Sequence, residues 1–183
     1  MKKSVFSRLG ALALVLMLAV STAAMPALAD SLTSGGTAGD PYIVTDAQSL
    51  AELAQMVNDG KNADADVRLD ADIVVDGSWE PLGKNSGFPF KGKFDGNGHS
   101  ITVTVDNPGL SYFGFFGCLE NAEVKNLTLN GEVYCSEPYA YVGGLAARAS
   151  GNVTLENCVV NMGLSSLARG NAGTGGFVGG YDK

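Results

Sequence analysis

Residues 124–147 and 155–179 are two imperfect copies of one pattern, and this repeat constrains the fold more than any other feature of the chain. The first copy runs Val124-Lys-Asn-Leu-Thr-Leu-Asn-Gly131 and continues to Val142-Gly-Gly-Leu-Ala-Ala147. The second runs Leu155-Glu-Asn-Cys-Val-Val-Asn-Met162 and continues to Thr174-Gly-Gly-Phe-Val-Gly179. Asn126 aligns with Asn157 and Gly143-Gly144 with Gly175-Gly176, a period of about 30 residues. Units of that size cannot bury an apolar face alone and become stable only when stacked.

Each unit carries strand signals and no long helical pattern. Apolar alternation starting at Val124 would turn Asn126 inward, yet Leu127 and Leu129 carry the apolar pattern onward. The same slip occurs between Leu155 and Cys158. A one-residue slip exchanges the two faces of a strand, so the chain must turn a corner there. Asn suits both corners, because it tolerates left-handed backbone angles. Short strands between Asn and Gly-Gly corners at this period describe the coils of an all-β parallel β-helix. Looser versions lie upstream: Phe113-Gly-Phe-Phe-Gly117, the alternation Ile101, Val103, Val105, and the alternation Val67, Leu69, Ala71, Ile73. Strands starting near 67, 99, 124 and 153 predict about four coils, with the C-terminal end truncated.

One segment breaks the pattern. Thr45-Asp-Ala-Gln48 has capping-box spacing, and Leu50, Leu53, Ala54 and Val57 follow the spacing of one helical face. A helix over about 46–58, ended by Gly60, would shield the open end of a solenoid from solvent and from edge pairing.

The first 29 residues have a different composition. Lys2, Lys3 and Arg8 precede an apolar stretch from Leu9 to Val20, and Ala27-Leu-Ala29 forms a small-residue cleavage site. The spacing predicts a signal peptide, and hence a secreted or cell-surface protein with no membrane insertion after cleavage. Removing the three cations leaves 9 Lys and Arg against 19 Asp and Glu, a net of −10. That charge argues against a nucleic-acid partner. Residues 30–40 read as a flexible lead-in, 41–66 as an N-terminal cap and 67–183 as the coils.

Candidate chemistry is sparse. Asp95-Gly-Asn-Gly-His99 gathers the single His with an Asp and an Asn, and reads as a turn. Asp64, Asp66, Asp70 and Asp72 alternate with apolar residues and read as the wet face of a strand, without a calcium-solenoid repeat. Cys118, Cys135 and Cys158 have no metal-ligand spacing, and their number is odd, so at least one is unpaired within the chain. No catalytic residue, metal or cofactor is assigned. The residues singled out are the structural corners Asn126, Asn157, Gly143, Gly144, Gly175 and Gly176. Asn126 and Asn157 are further expected to stack as an amide ladder. Trp79, Tyr112, Tyr139 and Tyr141 are the candidate ligand-facing aromatics.

Gly39-Asp-Pro-Tyr-Ile-Val44, Trp79-Glu-Pro-Leu-Gly83 and Phe90-Lys-Gly-Lys-Phe-Asp-Gly-Asn-Gly-His99 resemble the N-terminal part of bacterial surface β-helix proteins. Tyr112-Phe-Gly-Phe-Phe-Gly117, Tyr141-Val-Gly-Gly-Leu145 and Gly175-Gly-Phe-Val-Gly179 resemble the GLUG repeat of those proteins and of secreted IgA-protease-like enzymes. Ala147 and Met162 stand where the repeat prefers glycine. The resemblance implies a right-handed parallel β-helix serving as a non-enzymatic scaffold or adhesin-like surface for a glycan or a host or cell-surface protein, with further repeats or domains C-terminal. Two alternatives are a carbohydrate-active β-helix enzyme, and the scaffold region of an IgA-type metalloprotease whose catalytic domain is elsewhere.

Overall fold

A computed structural model describes residues 32, 35–169 and 173–182. The expected signal peptide lies outside them. The chain opens with β1 (Tyr42–Val44), α1 (Ala47–Asn58), β2 (Asp66–Leu69) and β3 (Ile73–Ser78). The next coil contains β4 (Lys93–Asp95), β5 (Ser100–Val105), β6 (Tyr112–Phe113) and β7 (Phe116–Glu120). It is followed by β8 (Glu123–Lys125), β9 (Thr128–Cys135), β10 (Tyr141–Gly143) and β11 (Ala146–Ser150). The last coil holds β12 (Thr154–Glu156), β13 (Val159–Ser166), β14 (Thr174–Gly175) and β15 (Val178–Asp182).

All strand pairs are parallel and link successive coils. The sheets have the orders β1-β2-β4-β8-β12, β3-β5-β9-β13, β6-β10-β14 and β7-β11-β15. The chain is therefore a parallel β-solenoid of about four turns. Corresponding residues lie directly above one another. Val67, Phe94, Val124 and Leu155 form one core column, and Ile73, Ile101, Leu129 and Val160 form another. In the earliest irregular coil, isolated bridges Leu82–Phe116 and Phe90–Leu119 replace regular strands. The interior there is filled by aromatic rings: Phe90 against Phe116 at 5.6 Å, Phe94 against Phe116 at 5.5 Å, and Trp79 stacked on Phe115 at 5.5 Å.

The slips at Asn126 and Asn157 are real corners. Their φ angles are +53° and +51°, in the left-handed region, where other non-glycine residues are disfavoured by about 1–2 kcal/mol. Asn97 and Asn121, both at φ +52°, make two further corners of the same kind. The glycine pairs work differently, since none of the four has a positive φ. A Cβ on Gly143 would lie 2.0 Å from the Ala146 carbonyl oxygen, one on Gly175 2.1 Å from that of Val178, and one on Gly144 2.5 Å from that of Gly176. Close backbone approach requires these three glycines. Gly176 has open space around its missing side chain.

Three expectations change. The strand expected to start the second coil near residue 99 is β5, which belongs to the β3-β5-β9-β13 sheet, and β4 occupies the position in the first stack. The alternation from Val67 to Ile73 is two strands: Asp70–Asp72 form the corner between β2 and β3, and Ala71 is only partly buried. Helix α1 is N-capped by Asp46 rather than Thr45. The Asp46 carboxylate accepts from the Ser49 N–H at 2.7 Å and the Ser49 hydroxyl accepts from the Asp46 N–H at 3.1 Å, closing a capping box one residue later than the Thr45–Gln48 spacing suggests. Leu50, Leu53, Ala54 and Val57 all enter the core. β1 lies within the segment read as the cap and pairs with β2.

Leu129 has no solvent exposure, so Leu129→Asp should cost more than about 3 kcal/mol by burying an unpaired charge. Chemical denaturation showing a loss under about 1 kcal/mol would contradict its inward assignment. Gly143→Ala should likewise destabilise strongly, whereas Gly176→Ala should lie within about 0.5 kcal/mol of the parent protein in the same assay.

Candidate functional site

Because the coils stack in register, outward side chains form columns, and the columns on the five-stranded sheet alternate in charge. One contains Asp66, Lys93, Glu123 and Thr154; its neighbour contains Arg68, Asp95, Lys125 and Glu156. The Lys125 ammonium lies 3.6 Å from the Asp95 carboxylate and 3.7 Å from that of Glu123. Like charges at the same spacing would repel, so alternation favours this register over any shift by one coil. These groups are partly exposed, and each such pair contributes at most about 1 kcal/mol.

An amide ladder runs beside the charges. Asn157 donates from Nδ2 to Asn126 Oδ1 at 3.3 Å, and Asn126 donates to Asp95 Oδ1 at 3.0 Å. A second rung on the neighbouring sheet joins Asn161 to Asn130 at 3.2 Å. Asp95 closes the first ladder, which gives the carboxylate of the Asp95–His99 turn a structural role. Burial pushes the Asp95 carboxyl upward, but bonds from Asn126 and the Asn97 N–H, together with the Lys125 charge, outweigh it and hold the carboxyl below its ordinary value. His99 points elsewhere, 3.5 Å from Asp72. The Asp72 carboxyl is lowered chiefly by the Ser100 backbone N–H.

The candidate aromatics do not form one surface. Trp79 is buried, and its indole N–H donates to the Phe115 carbonyl at 2.9 Å. Tyr112 and Tyr141 stack on each other at 5.7 Å. The Arg148 guanidinium lies 5.6 Å from the Tyr141 ring centroid and pairs with Asp182. A Cβ on Gly180 would come within 2.7 Å of the Tyr141 ring. Tyr141 is thus packed on both sides, and the pair serves as a column between coils. Tyr139, 75% exposed, is the freely accessible member.

The three thiols are free. Cys118 and Cys135 are buried and Cys158 is half-buried. Burial pushes Cys118 up to about 12, against the pull of Arg148, so it is protonated at neutral pH and a poor nucleophile. Among the described residues, no three His, Cys, Asp or Glu side chains converge as metal ligands.

One concavity was not anticipated from the sequence. A groove of about 760 Å³ separates α1 from β3 and the segment after it. Gln48, Ala51, Ala54, Gln55 and Asp59 form the helix wall; Val74, Asp76, Ser78, Trp79 and Glu80 form the other, with Lys84 at the margin. The helix presents Leu50, Leu53 and Val57 to the core and a small, amide-bearing face to the groove. Periodicity identified the first face; the second has no apolar signature and depends on where β3 lies. Val74 is 64% exposed at the groove wall.

The chain aligns over 168 residues with Halomucin of Haloquadratum walsbyi at 31% identity, covering 84% of this chain. The match spans about 2% of the length of Halomucin. No family model matches the chain, and no solved structure matches it. No described helix is long and apolar enough to cross a membrane.

The ladder carries a stability prediction. Asn126→Ala should cost about 1–3 kcal/mol, through loss of both the left-handed preference and the amide bonds. Asn126→Gly, which keeps the backbone freedom, should cost less. Because the folded-state pKa of Asp95 is depressed, its contribution is complete above the unfolded pKa of about 3.9 and disappears as pH falls through the lower folded value. The melting-temperature gap between the parent protein and Asp95→Asn should therefore narrow from pH 5 towards pH 2. A gap that widens on acidification would contradict this assignment.

Proposed function

We propose that this chain is a non-enzymatic, secreted or cell-surface β-helix module that holds a binding surface on a rigid scaffold. The coil is read as right-handed, since nearly all parallel crossovers have that hand, and α1 is read as the cap of its first turn. The resemblance of its corners to the GLUG repeat and the signal-peptide pattern of its first 29 residues support reading it alongside bacterial surface solenoids. The observation carrying the binding role is the groove between α1 and β3. Ala51, Ala54 and Val74 provide apolar surface, while Gln48, Gln55, Asp76 and Glu80 provide polar groups along its walls. That mixture suits a saccharide, whose apolar ring faces and hydroxyls need both kinds of contact.

An enzymatic reading draws less support. Glycoside chemistry needs two carboxylates flanking one bond, and Asp95, whose carboxyl is held below its ordinary value, is engaged by Asn126 and Lys125.

Purified protein should bind a restricted set of glycans on an array without releasing shorter products. Ala51→Trp, which fills the groove from an exposed helix position, should abolish binding while leaving the melting temperature nearly unchanged. Binding unaffected by this substitution would remove the groove from the account; glycan turnover would overturn the non-enzymatic reading.

A further inference from the structure

The groove between α1 and β3 lies well inside the chain: residues 47–84 supply both walls, and strands precede and follow them. Its volume of about 760 Å³ falls within the range of sites that enclose a small ligand, roughly 300–1,000 Å³. What a ligand meets there depends on which lining groups are already bonded. Asn58 is used twice, donating to the Pro81 carbonyl at 3.0 Å and accepting from the Lys84 N–H at 2.8 Å. Gln48 donates to Glu52 at 3.1 Å, and the Ser78 hydroxyl oxygen accepts from the Asp106 N–H at 3.1 Å.

The carboxylates of the β3 wall are uncommitted. Asp76 and Glu80 are exposed and make no hydrogen bond or ion pair among the described residues. By contrast, Asp95 and Glu123 on the five-stranded sheet share Lys125. The third acid of the groove, Asp59, is only loosely matched, 3.9 Å from the Lys61 ammonium. The one cation on the lining, Lys84, lies over the Phe88 ring at 5.0 Å, where the ring face engages its charge. Three acids against one lysine give the lining a net charge of −2, and a cleft lined by one sign of charge gathers the opposite sign. Ionised carboxylates are also acceptors only, so the ligand must bring the donors.

We propose that the saccharide taken by this groove is cationic: an amino sugar whose protonated amines face Asp76 and Glu80, with its ring faces on Ala51, Ala54 and Val74. This rests on the saccharide reading of the groove given above and adds the charge that selects among saccharides. N-acetylated sugars lack that charge, and uronic acids meet repulsion. Because both carboxylates are exposed to solvent, the two contacts together discriminate by about fivefold rather than by orders of magnitude.

The test is calorimetric titration of the full chain with a glucosamine tetrasaccharide and with its fully N-acetylated form, which share rings and linkages and differ in charge. At about pH 6, where the amines are protonated, the amine form should bind about fivefold more tightly at low salt. Near 1 M salt, where the screening length is about 3 Å, the gap should close. Asp76→Asn combined with Glu80→Gln should remove the preference and leave affinity for the N-acetylated form unchanged. Both positions are exposed, and an unchanged melting temperature checks that this variant is folded. Equal binding of the two forms, or tighter binding of a galacturonic acid tetramer, would overturn the charge selection and leave the saccharide reading intact. A preference that survives the double substitution, or tetralysine competing as well as the amino sugar, would overturn it too. Absence of binding by all three saccharides would overturn the saccharide reading and this proposal together.

Discussion

In-register parallel stacking is the constraint on which the rest of this structure depends. Each side chain on a coil faces its counterpart on the coils above and below, so every column must be compatible with itself. Three solutions recur. Apolar columns such as Ile73, Ile101, Leu129 and Val160 bury one another. Amide columns work because Asn carries both a donor and an acceptor, so identical residues can bond in series. Charged columns satisfy the constraint only by alternating in sign, as Arg68, Asp95, Lys125 and Glu156 do. Magnitudes separate their roles. Each buried large apolar side chain contributes about 1.5–3 kcal/mol, against at most about 1 kcal/mol for a partly exposed ion pair. The core therefore holds the solenoid together, while the ladders select which coil lies on which.

The sequence disclosed the parts of this design that leave a periodic trace. The paired slips at Asn126 and Asn157 located two corners and the core residues after them, because a change of face is visible whenever apolar alternation breaks. The face of α1 that packs inward was visible for the same reason. Elements without such a trace escaped. Lys93–Asp95 is too short and too charged to read as a strand, and only its place between β2 and β8 makes it one. The role of Gly143 as a point of backbone contact cannot be told from a turn glycine without knowing where the Ala146 carbonyl folds. Sequence alone leaves Trp79 among the candidate ligand-facing aromatics, yet its buried side chain stacks on Phe115. The α1–β3 groove is a relation between two elements, and neither alone announces it.

The same geometry shapes what the molecule can do. Repetition produces flat, rigid faces whose polar groups are already engaged with neighbouring coils, as Asp95, Asn126 and Lys125 are. The groove arises where the repetition is interrupted, at helix α1.

Nuclear Overhauser contacts in isotope-labelled protein test the stacking most directly. The account predicts methyl contacts linking Ile101 to Leu129 and Leu129 to Val160, with no short Hα–Hα contacts between β5 and β9 or between β9 and β13, as parallel pairing requires. Strong Hα–Hα contacts between those strands, or methyl contacts shifted by one residue from these pairs, would show antiparallel or out-of-register strands and contradict the column arrangement.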